Sequence, residues 1–106
     1  MVELSDKNIT FGNLCSEGKY HAVVQYVFST SEDIDYLYGF RMACLAGHTL
    51  VANLIYSSYG NEFKDNFIDV LLDVEKSDYF ENKMEIINFL KFIIRVEINN
   101  YNISIY

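Results

Sequence analysis

Two cysteines and two histidines are the residues of this chain that are best suited to binding a metal. They form the pairs Cys15-x5-His21 and Cys44-x3-His48. A tetrahedral zinc site needs all four ligand atoms about 2.0–2.3 Å from one ion. The two cysteines occupy equivalent places in two similar segments, and packed helices lie roughly 10 Å apart. We therefore expect no metal site. We also expect two reduced, buried thiols, because a disulfide requires Cα atoms within about 7 Å.

Cys44 and His48 are four residues apart and form the next candidate, a nucleophile with its base. A nucleophilic thiol needs exposure and electropositive surroundings. Cys44 instead falls on an apolar helical face, in a chain whose formal net charge is −7. The sequence thus predicts no catalytic residue, no cofactor and no enzymatic activity.

Asp65, Asp69 and Asp73 recur every four residues and could be metal carboxylates. The same spacing is typical of the solvated face of an amphipathic helix, with Ile68, Leu71 and Leu72 opposite. We favour the helix. An acidic ridge of this kind would favour partners with basic surfaces and accelerate their association.

The composition limits the classes of partner. A chain of 106 residues with 51% apolar residues is expected to form one domain with a core. Nucleic acid and anionic membranes are disfavoured, because the chain has no cluster of Lys and Arg. No apolar run reaches the roughly 18 residues of a membrane span. Met1–Lys7 also lacks the pattern of a secretory signal, so we expect an intracellular protein, in the cytoplasm or nucleus.

The segment 40–56 predicts two short helices folded back on each other about Gly47. Apolar residues recur at helical spacing on both sides of this glycine: Phe40, Ala43 and Cys44 before it, and Val51, Leu54 and Ile55 after it. Gly47 suits the left-handed conformation that ends a helix. Thr49 is a candidate cap for the second helix.

An earlier segment repeats this hairpin. Three pairs of identical residues lie 29 positions apart: Phe11 and Phe40, Cys15 and Cys44, Gly18 and Gly47. After the glycine, 23–29 aligns with 51–57 at a spacing of 28, which predicts an extra residue in the first turn and a less strict role for Gly18. Self-similarity with a period near 30 is typical of stacked repeats.

The stretch from Ala43 to Ile55 resembles an ankyrin repeat, whose second half runs Ala-Ala-x-x-Gly-His-x-x-Val-Val-x-x-Leu-Leu. The resemblance is weaker over Leu14–Phe28, where Lys19 replaces the histidine. The family's Thr-Pro-Leu-His start is missing, and the segment 38–41 stands in its place. The resemblance implies a divergent repeat protein that binds other proteins, and a His48 ring that hydrogen-bonds the backbone of its turn.

A third copy is predicted from helices over 66–74 and 84–90, joined by a loop over 75–83. The second of these helices continues through Ile98, and the alternation of Tyr101, Ile103 and Ile105 indicates a short extended tail. The predicted fold is an all-α stack of about three ankyrin-like helical hairpins with an extended apolar C-terminal helix. It is one domain, with repeats near 11–38, 39–65 and 66–99 and a tail over 100–106.

We expect partner binding through the inter-repeat loops 31–39 and 59–65 and the exposed sides of the first helices. Tyrosines in loops offer large contact area at little entropic cost. The candidate contacts are Tyr36, Tyr38, Arg41, Tyr59, Glu62 and Asp65.

Two alternatives remain open. The helix over 85–98 has only a narrow polar stripe, so a homodimer could form through it. The expected contacts are Phe89, Phe92, Ile93 and Val96. The Ile-, Asn- and Tyr-rich, proline-free composition resembles that of proteins from AT-rich genomes such as large DNA viruses. A viral or pathogen factor that binds a host protein is therefore the second alternative.

Overall fold

The computed structural model describes residues 5–29 and 33–105, with side chains as far as Asn100. Ser31, where the first predicted loop begins, and Tyr106, the end of the predicted tail, lie outside the described residues. The six α-helices of the described residues are α1 (Asp6–Ser16), α2 (Tyr20–Phe28), α3 (Tyr36–Leu45), α4 (Thr49–Tyr59), α5 (Phe67–Lys76) and α6 (Lys83–Ile105). Two 3₁₀ turns, Gly60–Glu62 and Lys64–Asn66, connect α4 to α5. The described ranges contain no strand, so the predicted all-α class is confirmed.

Consecutive helices pack in pairs: α1 with α2, α3 with α4, and α5 with α6. The first helices of the pairs also contact one another, and α3 lies between α1 and α5. On the other side, α2 contacts α4 and α4 contacts α6. None of the described helices is long and apolar enough to cross a membrane.

Side-chain caps fix where two of the first helices begin. The Ser5 hydroxyl accepts a hydrogen bond from the Asn8 N–H at 3.3 Å and caps α1. The Asp35 carboxylate accepts one from the Tyr38 N–H at 3.0 Å. Because Asp35 caps α3, that helix begins at Tyr36 rather than at Phe40. Residues 36–39 of the first predicted loop are therefore helical, which corrects that part of the prediction, whereas 33–35 lie outside a helix.

Two glycines close the first two hairpins in the same way. Gly18 has a φ of +70° and Gly47 a φ of +79°. The N–H after each glycine bonds a carbonyl of the preceding helix: Lys19 to Leu14 at 3.0 Å and His48 to Ala43 at 2.9 Å. The prediction for Gly47 is confirmed, whereas the expectation of a less constrained backbone at Gly18 is wrong, because its φ is also positive.

The extra residue predicted in the first turn is also wrong. The helices α1 and α2 are separated by residues 17–19, and α3 and α4 by residues 46–48, which are turns of equal length. After each turn, the first hydrogen bond of the second helix runs from the Val23 N–H to the Lys19 carbonyl and from the Ala52 N–H to the His48 carbonyl. These equivalent residues lie 29 positions apart. The valine-rich segments thus align at 29 in space, and the match at 28 does not reflect equivalent positions.

The turns of successive hairpins touch each other. The His48 ring packs directly against Gly18, and an ideal Cβ on Gly18 would lie only 2.6 Å from His48 Nδ1. The Glu81 carbonyl oxygen lies 2.3 Å from the corresponding position on Gly47. Asn82, which has a φ of +68° just before α6, donates from its side chain to the Gly47 carbonyl at 3.4 Å. The third turn therefore packs on the second, as the second packs on the first.

The helices α1 and α3 cross with two glycines at their contact. The Tyr38 ring covers Gly12, and an ideal Cβ there would lie 2.2 Å from Tyr38 Cε2. Reciprocally, the Phe11 ring covers Gly39, at 2.1 Å from the ideal Cβ to Phe11 Cε2. Each ring occupies the space that a side chain would take on the facing helix, so the two backbones approach closely.

Phe40 links this crossing to the third hairpin. Its ring lies 5.2 Å from that of Phe63, 5.8 Å from that of Phe67 and 6.3 Å from that of Phe89. Phe40 is fully buried, and Phe63 and Phe67 are nearly so. This aromatic cluster attaches α5 and α6 to α3.

The helix α6 continues through Ile105, so the predicted extended tail is wrong. Tyr101 and Ile105 are four residues apart, a spacing that fits a helix as well as the alternation fits a strand. No proline occurs in the chain and the last glycine is Gly60, so no residue of either type interrupts the helix.

Replacing Gly39 by Ala should destabilise the protein by about 1–3 kcal/mol, because the new methyl group overlaps the buried Phe11 ring. The sign is diagnostic, since Gly→Ala within a helix is ordinarily stabilising by about 0.5–1 kcal/mol. Urea denaturation measures the change, with the exposed Ser58→Ala as a control expected within about 0.5 kcal/mol of wild type. A more stable Gly39→Ala would contradict the close crossing.

Gly47→Val should lower the free energy of unfolding by about 1 kcal/mol or more, through the positive φ and the clash with the Glu81 carbonyl. Gly18→Val should cost less, because the obstacle there is the side chain of His48 rather than backbone. Denaturation of both variants tests the difference. Equal losses would mean that backbone strain alone sets the cost.

Candidate functional site

The predicted loop tyrosines Tyr36 and Tyr59 are interior residues. Their rings stack at 3.8 Å with an interplanar angle of 10°, and Tyr36 is only 7% exposed. The Tyr59 hydroxyl donates to the Val27 carbonyl at 2.9 Å, and the Tyr36 hydroxyl donates to the Tyr26 carbonyl at 3.5 Å. Burial, followed by the neighbouring Tyr59, raises the pKa of Tyr36. This pair joins α2, α3 and α4 and does not form an exposed binding loop.

The other candidate contacts are more accessible. Tyr38 is half-buried, since its ring covers Gly12. Arg41 is exposed, and its Nη2 pairs with Asp73 Oδ2 at 2.5 Å, which joins α3 to α5. Glu62 and Asp65 are exposed within the two 3₁₀ turns. The exposed members of the predicted contact set are therefore charged residues rather than tyrosines.

The residues predicted for self-association differ widely in exposure. Ile93 is fully buried inside its own chain, so it is not available to a second copy. Phe89 and Val96 are half-buried, and the Phe89 ring lies 6.1 Å from that of Tyr56. Phe92 is 60% exposed. These residues therefore do not form one exposed apolar face. Along α6 some of them pack into the core of their own chain and others face solvent.

The two cysteines are core residues, as the sequence predicts. Cys15 and Cys44 are fully buried and unbridged. Burial raises the pKa of the Cys15 thiol to about 12 and also raises the pKa of Cys44. In the part of the chain that the structure describes, no three His, Cys, Asp or Glu residues are placed to hold a metal ion.

The prediction that Thr49 caps α4 is wrong, because Thr49 is the first residue of that helix. His48 occupies the cap position and makes no side-chain hydrogen bond to the helix. The Thr49 hydroxyl oxygen is buried without a hydrogen-bond partner among the described residues. A cleft of about 270 Å³ lies here, lined by Thr49, His48, Asn82 and Glu85 among others.

An apolar groove lies between the start of α5 and the C-terminal half of α6. Its volume is about 550 Å³. The apolar lining consists of Phe67, Ile68, Ile94 and Ile98, and the polar lining of Lys64, Asp65, Glu97 and Asn100. We call this the α5–α6 groove.

Local sequence explains how the groove is positioned. Phe63 and Phe67 bracket the second 3₁₀ turn, and both rings are held in the core near Phe40. With these two anchors buried, Lys64 and Asp65 between them face solvent at the mouth of the groove.

Apolar side chains remain exposed in and beside the groove. Ile68 is 55% exposed and Ile98 is 54% exposed. Leu72, one turn beyond Ile68 on α5, is also exposed. Sequence reasoning had placed Ile68 on the buried face of α5. The missed signal is the spacing of Phe67, Val70 and Val74, which already supplies a complete buried stripe.

Searches against protein families, curated proteins and solved structures found no match for this chain. The site therefore rests on the chain's own geometry.

Both thiols should react slowly with a thiol-specific reagent in the native protein and rapidly in denaturant. Their burial excludes the reagent, and a raised pKa reduces the reactive thiolate. Mass spectrometry of samples quenched over time measures both sites, with the unfolded chain as the reference. Fast native labelling at either cysteine would remove it from the core.

Proposed function

We propose that this chain is a non-catalytic protein-binding module and a divergent member of the ankyrin-like repeat class that works inside the cell. Support comes from the two hairpins that repeat at 29 residues, with equivalent glycine turns at Gly18 and Gly47. Further support comes from the contacts of α3 with both α1 and α5, the order expected of stacked hairpins. Each hairpin covers part of the one before it.

The binding surface that the geometry favours is the α5–α6 groove. The observation that carries the proposal is the pair Ile68 and Ile98, each more than half exposed and both lining one cleft. Burying a large aliphatic side chain is worth about 1.5–3 kcal/mol. Grouped apolar side chains on a surface are typical of contact sites for other proteins.

The inter-repeat loops contribute less than the sequence analysis expected. Tyr36 and Tyr59 hold the interior together, so their removal would unfold the protein before it tested binding. Glu62 and Asp65 are exposed, and Asp65 lines the groove. In this proposal Asp65 belongs to the polar rim that surrounds an apolar contact.

A homodimer is the second candidate function, and the exposure of Phe92 on α6 supports it. The contact would run through Phe92 and Ile98, because Ile93 is buried within each chain.

Selection of helical peptides from a display library on the immobilised protein tests the proposed function. Peptides enriched on wild type should be lost on Ile68→Asp and Ile98→Asp, which place a charge in the groove. Leu50→Asp is the matched control, because Leu50 is 74% exposed but does not line the groove. Circular dichroism should show that all three variants remain folded.

Enrichment that persists on both groove variants would contradict this assignment of the surface. Loss of enrichment on Leu50→Asp as well would contradict it equally, since it would indicate contact elsewhere on the chain.

A further inference from the structure

We propose that the α5–α6 groove binds a basic amphipathic α-helix from another protein. This inference rests on the proposed function and specifies its partner.

The packing order of the chain argues for a helix as the occupant. The helix α3 packs against α1, and α5 packs against α3. The far side of α5 is left with Ile68 and Leu72 in solvent. A bound helix on that side would pack against α5 as α5 packs against α3 and α3 against α1.

The walls of the groove have the spacing that a helix fits. Ile94 and Ile98 line the groove one turn apart on α6. Ile68 lines it on α5, and the exposed Leu72 lies one turn further along that helix, outside the groove lining. Rows of residues at i and i+4 form the ridges into which the side chains of a packed helix fit. A bound helix would insert apolar residues at i, i+3 or i+4 and i+7.

The charges around the groove specify the flanks of that helix. Asp65 lines the groove on the α5 side and Glu97 on the α6 side. Glu62 and Asp69 are exposed close by in sequence, whereas Lys64 is the one cationic residue among those lining the groove. Carboxylates on both rims complement Lys or Arg on both sides of an apolar stripe.

The same charges argue against a second copy as the occupant. Each chain carries a formal net charge of −7. A two-fold contact through the groove would bring together two copies of a lining that carries two carboxylates, Asp65 and Glu97, and one ammonium group, Lys64, and this excess of like charge is unfavourable.

The test uses an 18-residue Leu/Lys amphipathic peptide, with a Leu/Glu peptide of identical pattern as its twin. Fluorescence anisotropy against wild type should show saturable binding of the Leu/Lys peptide, with the Leu/Glu peptide at least about tenfold weaker. Ile98→Asp should abolish the binding, and Leu50→Asp should leave it unchanged.

Removing the carboxylate charges on both rims measures how much they contribute to peptide binding. Asp65→Asn combined with Glu97→Gln should weaken the Leu/Lys peptide about three- to tenfold and reduce the salt dependence of its binding. Lys64→Gln should act in the opposite direction and tighten it. Because the two rim residues and Lys64 line an open groove, these changes leave the core untouched.

Three results would overturn the proposal. Leu/Lys binding that survives Ile98→Asp would be non-specific attraction to an acidic protein. Equal binding of the Leu/Glu twin would remove the requirement for basic flanks. Light scattering that gives twice 12.4 kDa for wild type and 12.4 kDa for Ile98→Asp would assign the groove to a second copy.

The display selection distinguishes a failure of the basic-helix inference from a failure of the proposed binding function. Groove-dependent binders without basic flanks would overturn the basic-helix partner and leave the binding module standing. No groove-dependent binder of any charge would overturn both.

Discussion

The close crossing of α1 and α3 is the contact on which the arrangement of the hairpins depends. Gly12 and Gly39 lie at the crossing, and the Tyr38 and Phe11 rings fill the space above them. Each ring belongs to the helix opposite the glycine that it covers, so the contact fixes separation and register together. A side chain on either glycine would push the helices apart and disturb the cores of both hairpins.

The third hairpin inherits its position from this crossing through Phe40. That ring belongs to α3 and is surrounded by Phe63, Phe67 and Phe89. Because Phe63 and Phe67 are buried around it, the start of α5 has one orientation toward α6. The α5–α6 groove is thus a consequence of the core packing around Phe40, in which the groove-lining residue Phe67 takes part.

Local patterns allowed part of the fold to be predicted from the sequence. The spacing of Phe40, Ala43 and Cys44 gave a helix, and Gly47 gave the turn, because both depend on residues within one or two helical turns. The tyrosines were misassigned for the opposite reason. Tyr36 stacks on Tyr59, 23 residues away in sequence, and the start of α3 depends on the cap by Asp35.

The groove could not be predicted because its exposure is set by what comes next in the packing order rather than by composition. On α5 the stripe Phe67, Val70 and Val74 faces the preceding hairpins, and Ile68 and Leu72 occupy the side that a following helix would cover. A sequence pattern shows that α5 has apolar residues on more than one side. It does not show which of these sides is covered by another helix of the described chain. The acidic residues beside Ile68, first interpreted as a solvated ridge, then acquire a different meaning, because in the folded chain they border an apolar surface that a partner can cover.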